Sequence, residues 1–257
     1  MNNNEIQGLI LAAGRGSRLL SMTDDRPKGL VELNGHALVE WQIASLENAG
    51  VQNTTIVTGY LGHKFERFGL STVSNPDWNK TNMVGSLMCA FEEVKGPVLI
   101  SYSDIVYRPE LVASLLECSA DVAISYDPDW LELWQRRFDD PCEDAESFRI
   151  GDDGYITEIG KRVADPMEVQ GQFMGLIKLS EKGVSLVTDM VLSKPEYRSK
   201  LDMTSLLNLL IEAGVKVKGV PANGHWCEVD DQADLKVAQA LVKEGRLVLQ
   251  ARGGRAT

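Results

Sequence analysis

The chain has no apolar run approaching the roughly 18 residues that a membrane-spanning helix requires, which excludes a helical span within its 257 residues. Cysteine is scarce. Cys89, Cys118, Cys142 and Cys227 are spaced too widely for a zinc pattern or a compact disulfide framework, so all four read as reduced thiols. His36, His63 and His225 are isolated, with no Ser/His/Asp order or metal-ligand spacing around them, and read as structural or surface residues. Positive charge is also short: 26 Lys and Arg face 37 Asp and Glu, a formal net charge of -11. That balance argues against a polyanionic nucleic-acid partner, because such binding rests on clustered basic side chains. The start Met1-Asn2-Asn3-Asn4-Glu5 lacks the basic and apolar regions of a signal peptide, so a cytoplasmic protein without membrane association is expected. What is present is ordinary globular usage, 44% hydrophobic and 25% charged residues.

Gln7 to Ala12 is a short apolar run entering a glycine-containing loop, which predicts a buried strand rather than a helix. A short strand near Leu30 to Leu33 turns at Asn34-Gly35, and Leu38 to Asn48 has helical spacing with Gly50 as its stop. Further strands are predicted at Thr54 to Thr58, Thr72 to Ser74, Val98 to Tyr102 and Val122 to Tyr126, with helices at about Met83 to Val94 and Pro109 to Cys118. Strands alternating with amphipathic helices predict an α/β fold with a mostly parallel sheet flanked by helices. After Tyr126 the pattern changes to a hairpin turning at Asp152-Asp153-Gly154 and a strand near Gly175 to Leu179. Helices at Glu181 to Leu192, Met203 to Ala213 and Gln232 to Glu244, with a strand at Val215 to Val220, complete the pattern. The expectation is one domain over 1–250, an α+β insertion at about 127–180, and a frayed tail at 251–257.

The loop Leu11-Ala12-Ala13-Gly14-Arg15-Gly16-Ser17-Arg18-Leu19 follows a strand, so its amides open at the carboxyl edge of a parallel sheet, where ligands usually sit. Gly14 and Gly16 permit close approach of backbone to phosphate. Arg15, Arg18, Arg26 and Lys28 place four cations within fourteen residues of an otherwise acidic chain, the local charge a triphosphate needs. A tight turn with solvated charges is the bland alternative. Two rival phosphate loops are absent: there is no Gly-x-x-x-x-Gly-Lys-Ser/Thr, and Leu19 stands where a dinucleotide fingerprint needs its third glycine.

Leu-x-x-Gly-x-Gly-x-Arg-Leu, then Thr23, then Arg26-Pro27-Lys28, resembles the signature of nucleotidyltransferases that make sugar nucleotides and of their cytidylyltransferase relatives. Thr81-Asn82-Met83-Val84-Gly85-Ser86-Leu87, Ser103-Asp104-Ile105-Val106-Tyr107 and Glu228-Val229-Asp230 resemble the branch holding phosphocholine and aminoethylphosphonate cytidylyltransferases. The likeness spans about residues 6 to 240. It implies a Rossmann-like nucleotidyltransferase fold with a small acceptor-binding insertion. It also implies transfer of CMP from CTP to a small phosphorylated or phosphonylated amino-alcohol or amine, with release of pyrophosphate. Gly85 departs from the pattern, since choline-type members tend to carry a bulkier, often aromatic, residue there. From the resemblance, Leu11, Ala12, Ala13, Gly14, Gly16, Arg18, Gly59, Tyr60, Asn82 and Ser86 would bind the nucleotide; Asn82 could equally cap the helix that begins near Met83.

Asp104 follows an apolar strand, and alternation puts Glu228 and Asp230 on one face, so these three carboxylates are the candidate Mg²⁺ ligands. A turn role for Asp104 and an N-cap role for Asp230 are the plain alternatives. Phosphoryl-transfer logic then needs no enzyme nucleophile: Arg15 and Lys28 are the candidate catalytic cations. On the acceptor side, Tyr102, Tyr107, Tyr126, Trp130, Trp134, Phe173 and Trp226, near Asp127, Asp129 and Glu158, suit an ammonium group, although most of these aromatics read as core. The candidate acceptor set is Tyr107, Tyr126, Trp130, Glu158, Met174 and Trp226, with Met174 inherited from the resemblance. Two other readings stay open: a sugar-1-phosphate nucleotidyltransferase and a non-catalytic nucleotide-binding module. A homodimer is compatible with each.

Overall fold

β1 (Gln7–Ala12) is buried from Gly8 onward, as an apolar run must be when both faces of its sheet are covered. In the computed structural model, which describes residues 6–222 and 224–251, it lies deep inside a seven-stranded sheet. β2 (Glu32–Leu33) and β3 (His36–Ala37) form the small hairpin at Asn34-Gly35. α1 (Leu38–Asn48) begins where the Glu40 carboxylate accepts the Ala37 amide at 2.7 Å. β4 (Asn53–Thr58), β5 (Ser71–Ser74), α2 (Met83–Glu93), β6 (Val98–Tyr102) and β7 (Ile105–Tyr107) follow. α3 (Pro109–Glu117) opens on a proline, which needs no donor at that position.

β8 (Val122–Asp127) leads into α4 (Trp130–Arg137), then the hairpin β9 (Glu146–Ile150) and β10 (Ile156–Arg162). The hairpin is longer than the Asp152-Asp153-Gly154 turn alone predicts. β11 (Gln172–Leu179) belongs to the main sheet, so the segment standing off that sheet ends before Gln172. α5 (Glu181–Leu192) and α7 (Met203–Glu212) are capped by Ser180 and Asp202, whose side chains accept the Gly183 and Ser205 amides; the short α6 (Tyr197–Lys200) lies between them. β12 (Val217–Pro221) starts two residues later than expected, because Gly214 turns at φ 84° and the Val215 amide closes α7 on Leu210 O at 2.9 Å. β13 (Trp226–Glu228) and α8 (Gln232–Lys243) finish the described chain. Of the tail expected at 251–257, Ala251 packs against the core and the rest lies outside the described residues.

The sheet order is β12-β8-β11-β6-β1-β4-β5. All its pairings are parallel except those of β11, which runs antiparallel to both β6 and β8. The expected mixed, mostly parallel α/β sheet is therefore what forms. Leu9, Ile10, Ile56, Leu99, Ile100 and Ile124 have no exposed surface and mark its core. β1, β4 and β6 end together at Ala12, Thr58 and Tyr102, so the loops beginning at Ala13, Gly59 and Ser103 share one edge, the place where such sheets bind ligands. No helix among the described residues is long and apolar enough to cross a membrane.

Candidate active site

The glycine-rich loop delivers Lys28 to this edge. Gly16 has φ 74°, and a Cβ there would fall 2.6 Å from Lys28 Cβ, so only glycine both adopts the turn and lets the lysine stem pass. The buried Thr23 hydroxyl donates to Gly16 O at 3.1 Å and ties the loop back on itself.

Lys28 is 8% exposed; its ammonium donates to Asp104 Oδ2 at 2.7 Å and to Asp230 Oδ1. Asp104 and Asp230 meet because β13 pairs antiparallel with β7, setting Glu228 opposite Ile105, and the Val229 amide donates to Asp104 O at 2.9 Å. Asp231, not Asp230, caps α8, accepting the Ala233 and Asp234 amides; Asp230 is left to the cluster. Arg18 pairs with Asp230 at 2.9 Å. One carboxylate oxygen from each of Asp104, Glu228 and Asp230 lies within 4.8 Å of the others, which is the set expected from the sequence. Burial alone would pull the Lys28 ammonium down, but Asp104 and Asp230, with Glu228 beyond them, outweigh it and hold the ammonium raised. Burial and the neighbouring Asp230 push Glu228 up to about 8. Burial would raise Asp230 too, yet contact with Lys28, helped by Arg18 and Arg137, keeps it low.

Arg137 completes the group. It donates to Glu228 Oε2 at 2.9 Å and grips both oxygens of Asp234 at 2.8 and 3.0 Å. No motif marks this residue, since its partners lie 91 and 97 positions away.

Leu11 and Ala12 end β1 buried, Ala13 follows them buried at the start of the loop, and the Tyr60 amide donates to Ala13 O at 3.0 Å, so Gly59 and Tyr60 do flank the loop. In front of Gly14 there is open space. Arg15 stands apart from the carboxylates, paired with Asp24 at 2.9 Å and 5.5 Å from the Tyr60 ring centre. Ser86 is buried and accepts from Asn75 Nδ2 at 2.9 Å; Asn75, buried at the end of β5, is a further residue of this edge that sequence reasoning missed. Asn82 stands at the N-cap of α2, but its side chain makes no capping bond and donates instead to Lys200 O at 2.8 Å, because α6 packs against the start of that helix.

A cavity of about 240 Å³ opens beside Glu228. Tyr102, Trp134 and Phe173 supply its aromatic wall, and Asp144, Glu146, Asp202 and Glu228 its charge; among the described residues no basic side chain lines it. Burial holds the Asp144 and Glu146 carboxyls above the usual range, the condition a cationic ligand would relieve. None of the six residues expected at the acceptor lines this cavity. Tyr107 is 1% exposed and donates to Ser101 Oγ at 3.0 Å within the core. Trp130 and Trp226 are buried, their indoles donating to Val169 O and Asp127 Oδ2, and Met174 is buried in β11. Tyr126 stacks on Phe148 at 4.9 Å, and Glu158 pairs with Lys161 at 2.8 Å on the exposed hairpin. Packing claims the aromatic side chains and Met174, as it claims most aromatics of a small core, and ion pairing claims Glu158.

Gly85 has a structural explanation. A Cβ there would lie 2.6 Å from Thr81 Cβ and 3.0 Å from the Arg198 carbonyl, so α6 occupies the room a larger residue would need. Gly85→Phe is therefore expected to destabilise the fold by about 1–3 kcal/mol, more than the ~1 kcal/mol gained by removing a helical glycine. A thermal midpoint by circular dichroism at or above that of the wild type would refute this.

Residues 8–147 match the MobA-like NTP transferase domain. The CTP:phosphoglutamine cytidylyltransferase of Campylobacter jejuni subsp. jejuni is 35% identical over 90% of this chain and 98% of its own length. The choline-phosphate cytidylyltransferase of Streptococcus pneumoniae is 34% identical over 40% of this chain and 47% of its own length. Among solved structures, the inositol-1-phosphate CTP transferase from T. maritima superposes with a TM-score of 0.73 at 25% identity, covering 94% of this chain and 98% of that one. The chain belongs to the MobA-like NTP transferase family and is a nucleotidyltransferase of its cytidylyltransferase branch.

Proposed function

We propose that this member of the family transfers CMP from CTP to a phosphate or phosphonate oxygen of a small acceptor bearing an amino or ammonium group, and releases pyrophosphate. The observation that carries the reading is the position of Glu228, which belongs to the carboxylate cluster around Lys28 and also lines the acidic, aromatic cavity. A compact acceptor with its cation against Asp144, Glu146 and Trp134 would present its phosphoryl end toward the Lys28 cluster. Each cation-π contact contributes about 0.5–2 kcal/mol. Two of the similar proteins act, by their names, on acceptors that carry nitrogen and phosphorus, phosphoglutamine and choline phosphate, and a third on inositol 1-phosphate, which carries no nitrogen.

The acceptor oxygen, ionised near neutral pH, would attack the α-phosphorus; the bond from that phosphorus to the bridging oxygen breaks, and the electron pair leaves with pyrophosphate. The Gly14 to Gly16 backbone would hold the triphosphate, and Lys28, Arg18 and Arg15 would neutralise charge that shifts toward the leaving group. Asp104 Oδ1 is buried without a hydrogen-bond partner. One oxygen each from Asp104, Glu228 and Asp230 forms the hard-oxygen donor set that suits Mg²⁺. Such an ion would supply further charge neutralisation at the phosphate oxygens.

The test is pyrophosphate release with CTP, UTP, dTTP and GTP, each against phosphoglutamine, choline phosphate, 2-aminoethylphosphonate, inositol 1-phosphate and glucose 1-phosphate. Turnover with CTP and a nitrogen-bearing acceptor is expected to exceed that with either sugar-like phosphate by about tenfold or more, the 1.4 kcal/mol of one or two cation contacts. Preference for glucose 1-phosphate would replace this reading with sugar-nucleotide synthesis.

A further inference from the structure

Arg137 has no part in the chemistry above, yet its side chain has no exposed surface. Its guanidinium carbon lies 5.0 Å from the centres of both the Trp134 and Phe138 rings. In the plane of the group, Nε and Nη2 donate to the two oxygens of Asp234, and Nη1 donates to Glu228 Oε2. Asp230 Oδ2 is 3.8 Å from Nη2, and the Asp230 amide donates to Asp234 Oδ2 at 2.9 Å. The Arg137–Asp234 pair therefore holds one carboxylate by its side chain and the other through its backbone. Its planar fork fixes direction as well as charge, which a lysine cannot do.

We infer that Arg137 is a positioning residue, which with Asp234 holds Glu228 and Asp230 at the spacing a divalent cation needs and ties that spacing to the Trp134 wall of the acceptor cavity. The inference rests on the proposed function only in requiring that cation. Trp134 lies one turn before Arg137 on α4, so the helix that shapes the cavity also sets the carboxylates. Outer partners of metal ligands typically contribute 10–100-fold to metal affinity.

The experiment is a Mn²⁺ titration in the presence of CTP and without acceptor. It is followed by water-proton relaxation, which separates enzyme-bound Mn²⁺ from Mn²⁺ on free nucleotide. Arg137→Met is expected to weaken Mn²⁺ binding by about 10–100-fold. Arg137→Lys, which keeps the charge and loses the fork, should fall between Arg137→Met and the wild type. Removing one member of a buried ion group can unfold a chain. The pair Arg137→Met with Asp234→Asn, which removes one charge of each sign, carries the same expectation if the single variant fails to fold. Folded variants that bind Mn²⁺ within about twofold of the wild type would overturn the positioning role and leave the proposed function standing. A wild-type chain that binds no Mn²⁺ would overturn the metal reading, and the inference with it.

Discussion

Lys28→Ala is expected to lower kcat by about 10²- to 10³-fold, the usual cost of removing one fixed charge aimed at a developing negative charge. The surroundings of Lys28 suit that proposed role: the loop buries its stem, Gly16 makes room for it, and Asp104 and Asp230 keep its ammonium charged. The same substitution leaves two carboxylates facing each other without the cation between them. Arg18 and Arg137 still compensate Asp230, so the stability loss should stay near 1–3 kcal/mol, a fall of a few degrees in Tm. A second readout moves the other way. In the absence of nucleotide, Lys28 is the counter-ion of the carboxylates that would bind metal, so Lys28→Ala should bind bare Mn²⁺ more tightly than the wild type. Lys28→Arg should not restore rate, because a larger fork cannot fill the space of a slim ammonium arm. Turnover of Lys28→Ala within about threefold of wild type would remove Lys28 from the chemistry.

Asp230→Asn should be nearly as damaging, at about 10²-fold in kcat or more, and its neighbour supplies the control. Asp230 receives Lys28, Arg18 and Arg137; Asp231 accepts two amides at the start of α8. Replacing Asp231 by alanine should cost about 1 kcal/mol of stability, a lost helix cap, and leave kcat close to wild type. Replacing Asp230 should instead bring that loss of about 10²-fold or more in kcat while the chain stays folded. The two residues adjoin, carry the same charge and differ only in where their side chains point. Steady-state rates and thermal melts of the two variants, measured side by side, decide the assignment; equal kinetic losses would contradict it.

Much of the architecture was legible because it is local. Leu38 to Asn48 and Glu181 to Leu192 fold as the helices their spacing predicts, and Gln7 to Ala12 forms the predicted buried strand. Asp104, Glu228 and Asp230 were legible as a set, through the family motifs and the alternation across Val229. The lining of the cavity beside Glu228 was not. Aromatic residues concentrated between Tyr102 and Trp226 suggested a pocket, but a sequence does not say which face of an aromatic ring the core will take. Tyr107 and Trp226 go to the core as paired residues of β7 and β13, whereas Tyr102, Trp134 and Phe173 reach the cavity. The Asn82 side-chain partner was not legible for a related reason: the Lys200 carbonyl is 118 positions away on a segment that no helix-start rule includes.

By itself the sequence determined the types of the main elements, the position of the glycine-rich loop after a buried strand and the family, because periodicity, turn residues and motif spacing act over a few to a few tens of residues. Tertiary structure alone decided that Lys28 is held between Asp104 and Asp230, 76 and 202 positions away, and that Arg137 grips Asp234 across 97. Those contacts follow from the order in which strands pair and from β13 returning to β7. Strand order is set by the burial of all faces of the sheet at once, a free energy that no local stretch of chain contains.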